Sequence, residues 1–236
     1  MAAPIGLQPT ADLAERVLLP GDPARALFLA EALLDAPKMF NHHRGLWGYT
    51  GAARDGAPLT IQSTGMGGPS AAIVIAELVE LGARRLLRVG TCGALRPGLG
   101  LGDLLIATEA IAADGASRAL GAGERVAPGQ ALLDALAGSL AVEDRVQSGP
   151  VVSSDLFYDS PEGAEERWRA QGALAVEMET ATLFALAARR DLRAGCALIV
   201  SDTVLPARQR IDAEALHDAE RRVGDLALAA LSDAGS

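Results

Sequence analysis

Short apolar runs that stop at a glycine or an aspartate alternate along this sequence with stretches of helical periodicity. Arg16–Pro20 (RVLLP) ends at Gly21-Asp22-Pro23, Leu59–Thr64 (LTIQST) at Gly65, Arg85–Val89 (RLLRV) at Gly90, and Ala194–Ser201 (AGCALIVS) at Asp202. Runs of this length between turn signals read as buried strands. Leu46–Gly51, Asp103–Ala113, Arg145–Ser153 and Ala173–Glu177 have the same character. Between them, Ala24–Leu34 sets Leu27, Ala30, Leu33 and Leu34 on one helical stripe, and Ser70–Leu81 is opened by Pro69 and closed by Gly82, the expected polarity of helix ends. Gln130–Leu140, Glu162–Gln171, Met178–Arg190 and the amphipathic Ala213–Leu231 complete the helices. No repeat, linker or low-complexity segment divides residues 1–236. The pattern predicts one α/β domain, a central mixed β-sheet flanked by helices. In such folds ligands gather where strands end at their carboxyl side. Four of those junctions carry unusual chemistry: GDPAR (21–25), GMGG (65–68), RVGTCG (88–93) and Ser201-Asp202.

Composition narrows the function. A chain of 236 residues buries a sizeable core. Its apolar runs fall well short of the ~18 residues of a membrane span, and MAAPIGLQPTADLAER lacks a basic start followed by an apolar block. The expectation is a cytoplasmic chain with no membrane partner. Thirty acids against 21 bases, net charge −9, argue against wrapping a long nucleic acid, although a local basic pocket is compatible with that balance. Cys92 and Cys196 are far apart and form no metal pattern or expected disulfide. His42, His43 and His217 are the only histidines. The His42-His43 pair has no ligand at the right spacing, which argues against zinc, and so few histidines argue against a serine triad.

Each junction has a functional and an ordinary reading. Gly21 lets backbone approach a ligand, the following helix start offers free N–H groups to an anion, and Arg25 adds a fork of donors; G-D-P is also a common turn. Arg88 inside an apolar strand is costly unless it binds an anion or is bridged internally to a carboxylate. Gly90, Thr91 and Gly93 beyond it suit a phosphate or another polar ligand. Glu177 and Glu179 bracket Met178 where a strand enters a helix: they serve the helix dipole, or one of them faces a pocket and accepts two sugar hydroxyls. Asp202 at the lip of a buried strand is partly desolvated, which suits proton donation; Ser201-Asp202 as a helix cap is the alternative. Phe157 and Tyr158 stand out in a chain of eight aromatics, either to stack a planar base or to pack a core.

Taken in order, GDPAR, NHHRGLWGYTG, GMGGPS, RVGTCGA, SSDLFY, VEMETATLFALA and VSD resemble the nucleoside phosphorylase-I family, within it the bacterial hexameric purine nucleoside phosphorylases and their archaeal methylthioadenosine-cleaving relatives. The resemblance runs from about Ala14 to Thr203. It implies phosphorolysis of purine nucleosides, with inorganic phosphate as co-substrate and no cofactor or metal. Gly21, Arg25, Arg88 and Thr91 match the family's phosphate ligands, and Arg44 matches an arginine lent to the neighbouring subunit's site. Glu179 matches the glutamate that holds the ribose 2′- and 3′-hydroxyls. Met66, Met178, Val176 and Glu177 line the nucleoside site by the same match, as do Cys92, Gly93 and Ser201, with Phe157 beside the base. Asp202 matches the acid that protonates purine N7, and Arg210, or Arg208, the arginine that assists it. A shared Arg44 implies a homo-oligomer, a hexamer built as a trimer of dimers. One departure is Ile5, where the family has a histidine at the ribose 5′-hydroxyl; an apolar group there suits 5′-methylthio substrates.

Uridine phosphorylases share the implied fold but read a pyrimidine with Gln and Arg, which Ser154–Ser160 lacks. Nucleosidases of the fold lack the phosphate arginines. A non-enzymatic nucleoside sensor has no use for Asp202 together with three such arginines.

Overall fold

The computed structural model describes residues 4–139, 145–204 and 207–233. In chain order the elements are β1 (Arg16–Leu19), α1 (Pro23–Leu33), β2 (Leu34–Asn41), a 3-10 turn (His43–Gly45), β3 (Gly48–Ala53), β4 (Pro58–Gln62), α2 (Gly68–Leu81), β5 (Arg85–Ala94) and β6 (Leu104–Ala112). There follow α3 (Gly115–Ala119), β7 (Arg125–Val126), α4 (Gln130–Gly138), β8 (Val146–Ser153), α5 (Ala164–Ala170), β9 (Ala175–Glu177), α6 (Thr180–Arg190), β10 (Arg193–Thr203), β11 (Gln209–Arg210) and α7 (Ala213–Asp233).

The strands form one mixed sheet in the order β11-β10-β6-β8-β9-β5-β1-β4-β3-β2, with β7 on β6. β10 also pairs with β5, in parallel along most of its length. The sheet therefore closes on itself through β5, β10, β6, β8 and β9, and β1, β4, β3 and β2 extend from the ring as an open wing. Helices α2 and α6 bury Val74, Ile75, Leu78, Leu183 and Phe184 against one side. Helices α1, α4 and α7 bury Leu29, Leu33, Leu132, Val223 and Leu231 against the other. Each such side chain stabilises by about 1.5–3 kcal/mol when fully buried.

The predicted α/β architecture is present, and its departures have local causes. The strand expected to stop at Val89 continues through Gly90–Gly93, because β10 pairs with it on one side and β9 meets Gly93 and Ala94 on the other. Tertiary hydrogen bonding there outweighs the low strand preference of glycine. The strand expected from Leu46 begins at Gly48, since Arg44 and Gly45 take left-handed φ of 57° and 71° and turn the chain first. β2 is unanticipated: it contains Pro37 and a left-handed Ala36, and a strand with those features is tolerated at a sheet edge, where it lies. Met178 stands before α6 rather than in it, with Glu179 as the N-cap residue. Leu140, the expected end of α4, lies outside the described residues. Among the described residues no helix is long and apolar enough to cross a membrane.

Candidate active site

A cavity of about 520 Å³ opens where β1, β4, β5, β9 and β10 end. All four sequence junctions meet there: Gly21, Asp22 and Arg25; Gly65 and Met66; Arg88 with Gly90–Gly93; Ser201 and Asp202. Connections that leave parallel strands at the same sheet end produce this convergence from positions remote in sequence.

One wall carries two buried arginines. The Asp22 side chain caps α1 by accepting the Ala24 N–H at 2.9 Å, and Pro23 fills the first turn, so the helix begins with Arg25 at the cavity. Arg25 donates Nε to Glu220 Oε1 of α7 at 2.7 Å, both side chains under a tenth exposed. Arg88 repeats the arrangement: Nε donates to Glu177 Oε2 at 3.1 Å and Nη2 to Glu179 Oε2 at 2.5 Å, while Nη1 is buried without a partner among the described residues. Burial opposes the charge on Arg88, but Glu179 and Glu177 outweigh it and hold the guanidinium firmly cationic. Gly90 makes room for it: a Cβ there would stand 2.6 Å from Arg88 Nη2. The internal bridge and the anion-binding reading of Arg88 thus coexist.

Glu177 is a brace. Its oxygens accept from Ser153 Oγ, Arg88 Nε and the backbone N–H groups of Glu179 and Thr180, which consumes its acceptor capacity. Glu179 is differently placed. Oε1 accepts the Gly67 N–H at 2.5 Å, and burial lifts its carboxyl above the usual range against the pull of Arg88. Met178 lines the cavity beside it, and Met66, 86% exposed, stands at its mouth.

The lining also has an apolar part, Leu156, Phe157, Trp168, Val176 and Val204, of which Val176 and Val204 pack with Trp168. Phe157 meets Tyr158 edge to face, and the Arg208 guanidinium lies 5.9 Å from the Phe157 ring centre. The register of β10 against β5 slips between Val200 and Asp202, a bulge at Ser201 of the kind that re-aims a side chain. Asp202 then receives Arg210 Nε at 3.0 Å on one oxygen and Ser201 Oγ at 2.9 Å on the other. The short β11 brings Arg210 opposite Asp202, while Arg208 is directed to Phe157. Thr91, Cys92 and Gly93 complete the lining. Burial raises the thiols of Cys92 and Cys196, the latter to about 12, so neither is a ready nucleophile.

The profile of the phosphorylase superfamily matches residues 15–234. The chain belongs to the phosphorylase superfamily. It is 40% identical over 209 residues to a "Purine nucleoside phosphorylase DeoD-type" of Geobacillus kaustophilus, which covers 87% of each chain. It is 37% identical over 239 residues to another of that name from Roseobacter denitrificans, covering 99% of each. A "Guanosine phosphorylase" of Halorubrum lacusprofundi is 38% identical over 201 residues, covering 84% of this chain and 83% of that one.

Two residues carried over from the phosphorylase resemblance do not line this cavity. Arg44 is exposed on the 3-10 turn after β2. Ile5 is 64% exposed, its segment tied to α2 by the Glu77 carboxylate, which accepts the N–H groups of Ile5, Gly6 and Leu7 at 2.7–3.0 Å. Conversely, the sequence reading overlooked Glu220, Glu165, Trp168 and Ser153. Glu220 had a signal: it falls on the stripe of α7 shared by Ala219, Val223 and Ala227, all buried, and a carboxylate on such a stripe requires a buried partner. Among the described residues no group of three or more His, Cys, Asp or Glu could hold a metal ion.

Proposed function

We infer that this chain catalyses phosphorolysis of purine ribo- and deoxyribonucleosides, in which inorganic phosphate and nucleoside give free purine and the pentose 1-phosphate. The observation that carries it is the pairing, within one cavity, of two buried arginines each tethered at Nε by a glutamate with a carboxylate, Asp202, at the end where the base would lie. The names of the curated relatives agree with it. Tethering at Nε leaves terminal guanidinium nitrogens for an anion and fixes their direction beforehand, so little order is lost on binding.

In the reaction, phosphate draws the terminal nitrogens of Arg25 and Arg88. Arg88 Nη2 then leaves Glu179, whose freed oxygen accepts the ribose hydroxyls. A phosphate oxygen attacks C1′ as the C1′–N9 bond breaks toward an oxocarbenium-like state. The electron pair of that bond passes to the base, and Asp202 delivers its proton to N7, with Arg210 and Ser201 orienting the carboxyl. Phe157 and Val176 hold the base. Product analysis tests this reading: one ribose 1-phosphate is expected for each purine released from inosine, and free ribose in its place would overturn it.

Glu220 acts through Arg25. Glu220→Gln keeps the shape but removes the buried charge that orients the guanidinium. The KM for phosphate is expected to rise about tenfold with the KM for inosine nearly unchanged, as for a lost charge-assisted hydrogen bond. Equal changes in both would assign Glu220 a purely structural role.

The proposed assembly is a cytoplasmic homohexamer, a trimer of dimers, with Arg44 completing the partner's phosphate site. Charge supports it. Around the phosphate wall two buried arginines already face three buried glutamates, Glu177, Glu179 and Glu220, so an incoming phosphate needs a further cation. Arg44→Ala and Asp202→Asn subunits, each nearly inactive alone, should regain activity when mixed and reassembled. Absence of recovery in verified mixed oligomers would exclude the shared site.

A further inference from the structure

Apart from Asp22, which caps α1, two charged side chains of the cavity wall have no part in holding phosphate, sugar or N7: Glu165 and Arg208. Glu165 lies in the first turn of α5, three residues before Trp168, so the two project from one helix face, and both line the cavity. Its neighbour Glu166 does the ordinary work of an acid at a helix start. It is 67% exposed and pairs with Arg169 at 2.6 Å. Glu165, by contrast, is half-buried and its side chain has no hydrogen bond or ion pair among the described residues. Arg208 sits over Phe157, the aromatic at the base end.

We infer that Glu165 and Arg208 read the six-membered ring of the base and select 6-oxopurines, guanine above all. The inference rests on the phosphorolysis reading, because Asp202 at N7 sets the orientation of the ring. The 6-substituent lies beside N7 on the same ring edge, and Arg208 stands two positions from Arg210, which pairs with Asp202; N1 and the 2-position lie farther round the ring, and Glu165 enters from a different element, α5. A guanidinium only donates and a carboxylate only accepts. Guanine presents a 6-oxo acceptor to Arg208 and two donors, N1–H and the 2-amino group, to Glu165. Hypoxanthine keeps the oxo group and N1–H. Adenine reverses the pattern, with an amino donor toward Arg208 and the N1 lone pair toward Glu165. A site built to hydrogen-bond one edge rejects the mismatched one strongly.

The test is kcat/KM for guanosine, inosine and adenosine at saturating phosphate, on the full chain and on Glu165→Gln and Arg208→Met. Wild type is expected to favour guanosine over adenosine by about tenfold or more. Glu165→Gln should lose most of that preference by slowing guanosine about tenfold, with adenosine changed by no more than about twofold, so that adenosine turnover also reports the fold. Arg208→Met should slow both 6-oxopurine nucleosides and spare adenosine. A guanosine-to-adenosine ratio unchanged by both substitutions, with brisk turnover throughout, would overturn the base-reading role and leave phosphorolysis standing. A wild type that cleaves no purine nucleoside would overturn both.

Discussion

Asp202→Asn is expected to lower the rate of adenosine cleavage by ~10²–10⁴-fold, the usual contribution of a positioned general acid. Adenine leaves readily only when N7 is protonated, and an amide has no acidic proton to supply. The loss for inosine or guanosine should be smaller, since the amide N–H can still hydrogen-bond N7 and the 6-oxo group helps the ring to carry negative charge. The substitution is nearly isosteric, and the Arg210 partner it weakens is 69% exposed, so the fold loses little. Full adenosine activity in this variant would remove Asp202 from the chemistry. The β-bulge at Ser201 gives the effect its structural basis, because the slip in register belongs to the same short segment that presents both Ser201 and Asp202 to the cavity.

Much of this site was legible beforehand because its residues interrupt patterns. Arg88 breaks an apolar strand, Asp202 ends one, and Gly21 and Gly65 stop others; each interruption costs stability unless something uses it. The architecture was legible for a related reason: strand-length and helix-length apolar segments alternate, and only a sheet with helices packed against it buries both. What stayed hidden depends on tertiary placement. β2 and β11 are held by partners rather than by propensity, and β5 crosses two glycines because β9 and β10 hydrogen-bond to it there. The tether between Arg25 and Glu220 spans 195 positions and exists only once α7 packs beside α1. The brace role of Glu177 was equally invisible, since four separate donors converge on it from β5, β8 and the start of α6. Local spacing distinguishes neither Glu177 from Glu179 nor Arg208 from Arg210; the third dimension sends one of each pair to a different task.

The other large effect concerns phosphate. With Arg25 and Arg88 buried and each tethered at Nε by a glutamate, the cavity is arranged to bind an anion as nucleophile. Glu177 is spent on four donors, Glu179 is engaged by Gly67 and Arg88, and Asp202 by Arg210 and Ser201. Phosphate therefore supplies the attacking atom itself, and its removal takes away a reactant rather than an activator. The most direct measurement is the initial rate of hypoxanthine release from inosine by the purified chain, first in rigorously phosphate-free buffer and then with phosphate added back. The expected result is release at least ~10²-fold slower without phosphate, restored in a saturable way on addition, as for loss of a positioned nucleophile. Release at undiminished rate in phosphate-free buffer would contradict phosphorolysis and identify water as the acceptor.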